Sequence, residues 1–209
     1  MGQVDSERSC AGWGKKLFPV TSGIGADGRT FVLYHWGANS GGGAVAHRDG
    51  FDQIGPLETL GGLILPNAET YEQLYPVRVI KQEFRTDAGG PGMFRGGTGV
   101  HYIVDVEVEA EYSFRAEGVR RQWDNGVNGG RPGALGRIRV YPRQGEPFDP
   151  PTYGVRRLGP LRLEILSPGG GGWGDPSSRS RDLIAEDVRN GVVTREKAAV
   201  DYGNGTSIS

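Results

Sequence analysis

The sequence predicts a mainly β fold, a β-rich α+β domain of antiparallel strands joined by long glycine-rich loops, with two short helices at the C-terminal end. Three observations predict it. Strict apolar alternation marks several segments, most clearly Val100 to Tyr112. Glycine and proline together, 37 and 13 residues of 209, break the chain between those segments without any collagen-like period. Helical periodicity appears only after residue 180.

The segments follow in order. Residues 1–30 are polar and turn-rich, and read as a loop or an edge element. Thr30 to Trp36 is a β-branched and aromatic run, read as a buried strand. Leu57 to Leu65 is apolar and glycine-interrupted, and fits strand or coil. Asn67 to Tyr75 makes one or two helical turns, with Asn67 as N-cap and Pro76 as stop. Val77 to Arg85 is strand-like. Val100, Tyr102, Val104, Val106, Val108, Ala110 and Tyr112 occupy alternate positions, with acidic residues between most of them. Side chains alternate faces along a strand, so this stretch reads as one long, half-buried antiparallel strand. Arg115 to Gly136 is rich in turn residues, and loops of that length are often functional. Arg137 to Tyr141 and Leu161 to Leu166 are short alternating strands. Arg181 to Asn190 and the stretch after Thr194 are helices, closed at Gly191 and Gly203. The domain reading is a segment at 1–30, a β-rich domain at 31–203 and a tail at 204–209.

Composition excludes several functions. Net charge is −1, so no strong field attracts nucleic acid. No apolar run approaches the roughly 18 residues that a membrane-spanning helix needs. The N-terminus lacks a hydrophobic signal core, and a single cysteine excludes an intrachain disulfide, so a cytoplasmic location is expected.

Glycine tracts suggest phosphate cradles, but that chemistry needs a helix behind the loop. Gly96-Gly-Thr-Gly99 runs into a strand, and no Gly-Lys-Ser/Thr follows any tract. Glycines also permit positive φ and close backbone approach at strand corners. No HxxxH, HExxH or CxxC spacing offers a metal site, although His47 and Asp49 supply two ligand types two residues apart. His35 lies in an apolar run and reads as a core histidine; His101 reads as exposed or paired. Arg120 and Arg121 stand near Trp123 in a polar loop, a pattern that suits an anionic or planar group or a surface stack. Arg95 sits beside glycines, where its planar fork either binds a carboxylate or phosphoryl group or pins the loop through backbone carbonyls.

Four blocks, in order, resemble the hydantoinase B/5-oxoprolinase family, which includes the large subunits of acetone and acetophenone carboxylases. They are Gly41-Gly-Gly-Ala-Val-Ala-His-Arg-Asp-Gly50, Asn67-Ala-Glu-Thr-Tyr-Glu-Gln-Leu-Tyr-Pro-Val-Arg78, Asp87-Ala-Gly-Gly-Pro-Gly-Met-Phe-Arg-Gly-Gly-Thr-Gly-Val100 and Ser167-Pro-Gly-Gly-Gly-Gly-Trp-Gly-Asp-Pro176. Ala88 stands where the family usually has serine, and residue 68 is alanine. The resemblance covers roughly residues 30–203 and only the C-terminal part of the family's large chain. The Asp/His-rich block of the N-terminal half, where the carboxylases bind a metal, does not occur here.

The resemblance implies a subunit, or a split C-terminal portion, of a multi-subunit ATP-dependent enzyme that hydrolyses cyclic amides and is inactive alone. A ketone carboxylase subunit and a non-catalytic assembly subunit are the alternatives. Expected partners are an N-terminal-half hydantoinase B-like subunit and a hydantoinase A-like subunit that handles ATP. The chain itself is expected to hold no cofactor or metal, with ATP and a divalent metal on the partners. No catalytic residue is assigned. The residues expected to line a substrate or phosphate site are His47, Asp49, Asn67, Glu72, Arg95, Arg120 and Arg121.

Overall fold

A computed structural model describes residues 5, 7–54, 67–121 and 125–203. The stretch Leu57 to Leu65, the residue Trp123 and the tail 204–209 lie outside the described residues. Eight strands form two four-stranded antiparallel sheets. The first has the order β2-β1-β5-β7, from β1 (Val20–Ile24), β2 (Thr30–Tyr34), β5 (Ala110–Arg115) and β7 (Tyr153–Leu158). The second has the order β3-β4-β8-β6, from β3 (Val77–Phe84), β4 (Val100–Val106), β6 (Arg137–Pro142) and β8 (Leu161–Leu166). The helices are α1 (Ala68–Leu74), α2 (Arg181–Arg189) and α3 (Arg195–Tyr202). The mainly β expectation and its two C-terminal helices are therefore realised.

The inner faces of both sheets meet in one apolar core. Tyr102, Val104, Leu163, Ile165 and Val140 come from one sheet, and Leu33, Tyr112 and Phe114 from the other. Alternation puts these side chains on one face of each strand, and burying each large apolar side chain contributes about 1.5–3 kcal/mol.

Val100 to Tyr112 is not one strand. It breaks between Val106 and Ala110, and the two halves belong to different sheets. The Glu107 amide donates to the Pro76 carbonyl at 3.0 Å and holds the corner. The alternation misled because Val108 stays half-buried against the core, so the two-residue period runs unbroken through the bend. The first 30 residues, read as loop or edge, supply β1, which pairs with β2 on one side and β5 on the other. β7 also lacks a clear sequence signal, because this edge strand is largely exposed and buries no apolar face.

Helix ends follow the sequence. The Asn67 side chain accepts from the Thr70 amide at 3.0 Å and starts α1. Gly191 and Gly203 adopt φ of 71° and 83° beyond the ends of α2 and α3. These two helices bury Ile184, Val192, Val193, Ala198 and Tyr202 in a small second core.

A third layer connects these parts and consists almost wholly of backbone. Extended segments around residues 11–14, 41–44, 88–97, 125–134 and 167–174 lie side by side. The stretch Gly169–Gly172 runs among the others. Gly170 donates to Gly97 at 2.9 Å, Gly171 to Gly12 at 2.8 Å and Gly172 to Arg131 at 2.9 Å. Gly97 in turn donates to Gly42 at 2.8 Å. The backbones approach so closely that a Cβ on Gly41 would overlap the Gly97 carbonyl.

His35 sits in the sheet core at 0% exposure, its Nε2 bonded to the Thr21 hydroxyl at 2.8 Å. Its Nδ1 has no partner among the described residues. Burial pushes its pKa from 6.5 down to about 3. The unfolded imidazole takes up its proton first, so stability falls as pH drops from about 6.5 toward 3, by up to about 1.4 kcal/mol per unit. Denaturant unfolding at pH 7 and pH 5 reads this loss. A His35→Gln chain that keeps the same pH slope would assign it to another group.

Candidate functional site

The charged centre of the molecule lies where the glycine layer meets α2 and α3. Arg95 leaves its loop and is 5% exposed. Its Nε donates to Asp187 at 3.2 Å, and its Nη1 donates to Asp52 at 3.1 Å and to the Gly96 carbonyl at 2.6 Å. Arg179, its side chain wholly buried, forms a fork on Asp49 at 2.8 and 2.7 Å. It also donates to Asp187 at 2.7 Å and to the Met93 carbonyl at 3.2 Å. Asp49 accepts the Arg95 amide at 2.7 Å, and Asp52 accepts the Thr98 amide at 2.7 Å. Two guanidiniums and three carboxylates thus tie together the 41–52 loop, the 88–99 loop and α2.

Desolvation alone would lower the pKa of Arg95, but the Asp52 and Asp187 charges outweigh it and raise the value. Arg179 is likewise raised: the Asp49 hydrogen bonds and charge, with Asp187, overcome its burial. The Arg179 guanidinium also lies 5.7 Å over the Tyr202 ring, whose hydroxyl is pushed up by burial. Both arginines are fixed cations that satisfy carboxylates of the same chain.

The expected site residues separate into groups. Arg95 and Asp49 come together in this network, where the Arg95 guanidinium is engaged by Asp187, Asp52 and the Gly96 carbonyl of its own chain. His47 is exposed at φ 75°, its ring 6.4 Å from Phe94. Asn67 caps α1, and Glu72 accepts the Val79 amide at 2.9 Å, which fixes α1 against β3. Arg120 and Arg121 are exposed and line a separate basin of about 430 Å³ with Lys15, Glu117 and Tyr153. A larger cleft of about 690 Å³ opens beside Cys10, Trp13, Phe18 and Asn39.

Sequence reasoning missed Asp52, Arg179 and Asp187. A signal existed for Asp187, which lies three residues after Ile184 and one before Val188, so the helical period places a carboxylate on the apolar face of α2. Arg179 precedes the Ser180 cap and carried no such pattern.

The glycine tracts do not cradle phosphate in this arrangement. The amides of Gly41, Gly42, Gly90, Gly96, Gly97 and Gly169 to Gly172 already donate to backbone carbonyls of the chain. Among the described residues, no group of three or more His, Cys, Asp or Glu side chains is placed to hold a metal ion. No helix among them is long and apolar enough to cross a membrane.

Comparison with known proteins gives this architecture relatives. The beta subunit of caprolactamase from Pseudomonas jessenii is 32% identical over 96% of this chain and 36% of its own length. A putative D-/L-hydantoinase B subunit from Pseudomonas sp. (strain NS671) is 30% identical over 77% of this chain and 28% of its own length. The crystal structure of the ATP-dependent caprolactamase from P. jessenii matches with a TM-score of 0.79 at 28% identity, over 96% of this chain and 36% of that one. Nucleotide-free acetone carboxylase matches with a TM-score of 0.72 at 20% identity, over 92% of this chain and 30% of that one, a likeness of fold alone. The chain therefore spans only about a third of the length of these relatives. The glycine blocks that build the third layer fall within or end at residues 1–176, the stretch matched by the hydantoinase B/oxoprolinase family model, and this chain belongs to that family.

Proposed function

We propose that the chain acts as the C-terminal portion of a hydantoinase B-type subunit in an ATP-dependent enzyme that hydrolyses a cyclic amide. The observation that carries this reading is the match to ATP-dependent caprolactamase, at 28% identity across 96% of the chain. The acetone carboxylase likeness, at 20% identity, does not favour ketone chemistry over it.

In this reading the chain contributes a rigid frame and is inactive alone. Asp49, Asp52 and Asp187 are already compensated by Arg95 and Arg179, so they suit a structural role better than metal binding. The divalent metal belongs on the N-terminal part of the hydantoinase B-type subunit and ATP on a hydantoinase A-like partner, and dependence on ATP fits a cytoplasmic complex. Arg95 acts as a positioning residue that holds the 41–52 and 88–99 loops. His47, Arg120 and Arg121, all exposed, face the substrate or the partners.

Reconstitution tests this. The chain, the polypeptide carrying the preceding part of the hydantoinase B-type subunit and the hydantoinase A-like partner are combined with caprolactam, hydantoin or 5-oxoproline. Lactam-dependent ATP hydrolysis is expected, with loss of at least 10-fold when this chain is omitted. Full turnover without the chain, or ATP turnover only with ketone and bicarbonate, overturns the reading.

A further inference from the structure

The two sheets turn different outer faces outward. On β3-β4-β8-β6 the outer face is charged and paired. His101 meets Glu164 at 2.9 Å, Tyr141 donates to Glu164 at 2.8 Å, and Arg162 forks onto Asp105 at 2.7 and 3.0 Å. Such a face is content in water.

On β2-β1-β5-β7 the register builds a different surface. Tyr34 pairs with Val20, Val20 with Ser113 and Ser113 with Val155, so one row crosses all four strands. Val32, Ile24 and Tyr153 flank it. Val32 is 57% exposed and Val155 60%, and they lie on edge strands at opposite sides of the sheet. Glu111, Ser113 and Arg115 of β5 divide the apolar residues of β1 and β2 from those of β7, and Arg157 pairs with Glu109 at 2.8 Å and Arg29 with Asp27 at 2.6 Å. Five large apolar side chains, Ile24, Val32, Tyr34, Tyr153 and Val155, stand exposed on this one sheet, and such a grouping marks an interaction surface.

The surface does not end with the strands. Tyr34 stacks on Trp36 at 5.4 Å, Trp36 packs on Phe18 at 5.0 Å, and Phe18 walls the 690 Å³ cleft. At the far side Tyr153 borders the basin of Lys15, Arg120 and Arg121.

Resting on the function proposed above, we infer that this face and the cleft at its end receive the polypeptide that makes up the rest of the hydantoinase B-type subunit. In the beta subunit of caprolactamase the matching region is only 36% of the chain, so almost twice its length of polypeptide accompanies it. The strand face measures roughly 19 Å by 18 Å, about 350 Å². A stable interface between separate chains takes about 800 Å² per partner, so the occupant of this face must also cover the cleft beside it. A larger neighbour that continues into the cleft meets that requirement. Its matching surface is apolar, with acidic groups opposite Lys15 and Arg120.

The test uses the full chain and a tagged polypeptide carrying the preceding part of the hydantoinase B-type subunit. Val32→Glu/Val155→Glu is expected to weaken their association at least 10-fold in a binding titration. Val200→Glu, which alters a 73% exposed residue on α3, is expected to leave it within 2-fold. Melting temperatures establish that each variant is folded. Should the double glutamate variant melt early, Val155→Ala/Tyr153→Ala trims the same surface without adding charge, and a 3-fold or greater weakening is expected. Wild-type affinity in a folded double variant overturns the surface assignment while leaving the proposed function intact. A wild-type chain that never binds this polypeptide removes both. A homodimer that the double variant dissolves overturns the inference in favour of a second copy.

Discussion

Arg179→Met is expected to destabilise the domain by about 3–5 kcal/mol, because it takes the cation from part-buried Asp49 and one of two cations from buried Asp187. The Arg179 side chain has no exposed surface, and methionine fills much of its volume without any donor. Asp49 would lose both arms of its fork, and Asp187, with 9% of its side chain exposed, would keep only the Arg95 contact. Since folded domains are stable by only about 5–15 kcal/mol, this one change removes a large share of the total. Urea unfolding of the purified chain measures it. Arg179→Lys restores the charge but not the planar fork, and should recover part of the loss. A loss below about 1 kcal/mol for Arg179→Met would show that the network contributes little to folding.

Gly170→Ala should cost about 3 kcal/mol or more, at or beyond the upper end of ordinary overpacking. Its Cβ would overlap the Gly42 carbonyl and stand 2.8 Å from the Gly43 nitrogen. Both obstacles are backbone, so no side chain can rotate away. Gly170 also donates to Gly97 and accepts from Gly90, so a shift of its segment strains two further hydrogen bonds. Gly159 provides the comparison: a Cβ there meets nothing within 4 Å, and its φ is not in the left-handed region. Gly159→Ala should stay within about 1 kcal/mol of wild type. Equal unfolding midpoints for the two variants would refute the close-approach explanation.

Much of the fold was legible because its cause is local. Alternation revealed β4, β6 and β8, and the Asn67 cap with Pro76 bounded α1. The sheet switch at residues 107–109 was hidden because a bend that preserves the two-residue period leaves no mark. The glycine blocks were visible, but their reason was not. They pointed to positive φ or to close backbone approach, and Gly41, Gly97 and Gly170, all outside the left-handed region, serve the second, between segments far apart in sequence. The same limit applied to the charge network. Arg95 and Asp49 stood out from their loops, but their partners lie across 92 and 130 residues of sequence, and no local pattern announces such pairs. Glu72 was noticed for its carboxylate, and its use is a hydrogen bond to the backbone of β3.

The glycine layer also sets how the domain responds to temperature. Exposing apolar surface on unfolding raises the heat capacity by about 0.45 cal/K/mol/Å², and exposing polar surface lowers it by about 0.26. The sheets bury leucine, valine and tyrosine side chains, but the layer from Gly41 through Gly97 to Gly170 buries peptide groups. Its unfolding therefore offsets part of the heat-capacity change contributed by the sheets. The stability curve of the whole domain is flattened, and cooling weakens the sheet core more than the layer that joins it to the helices.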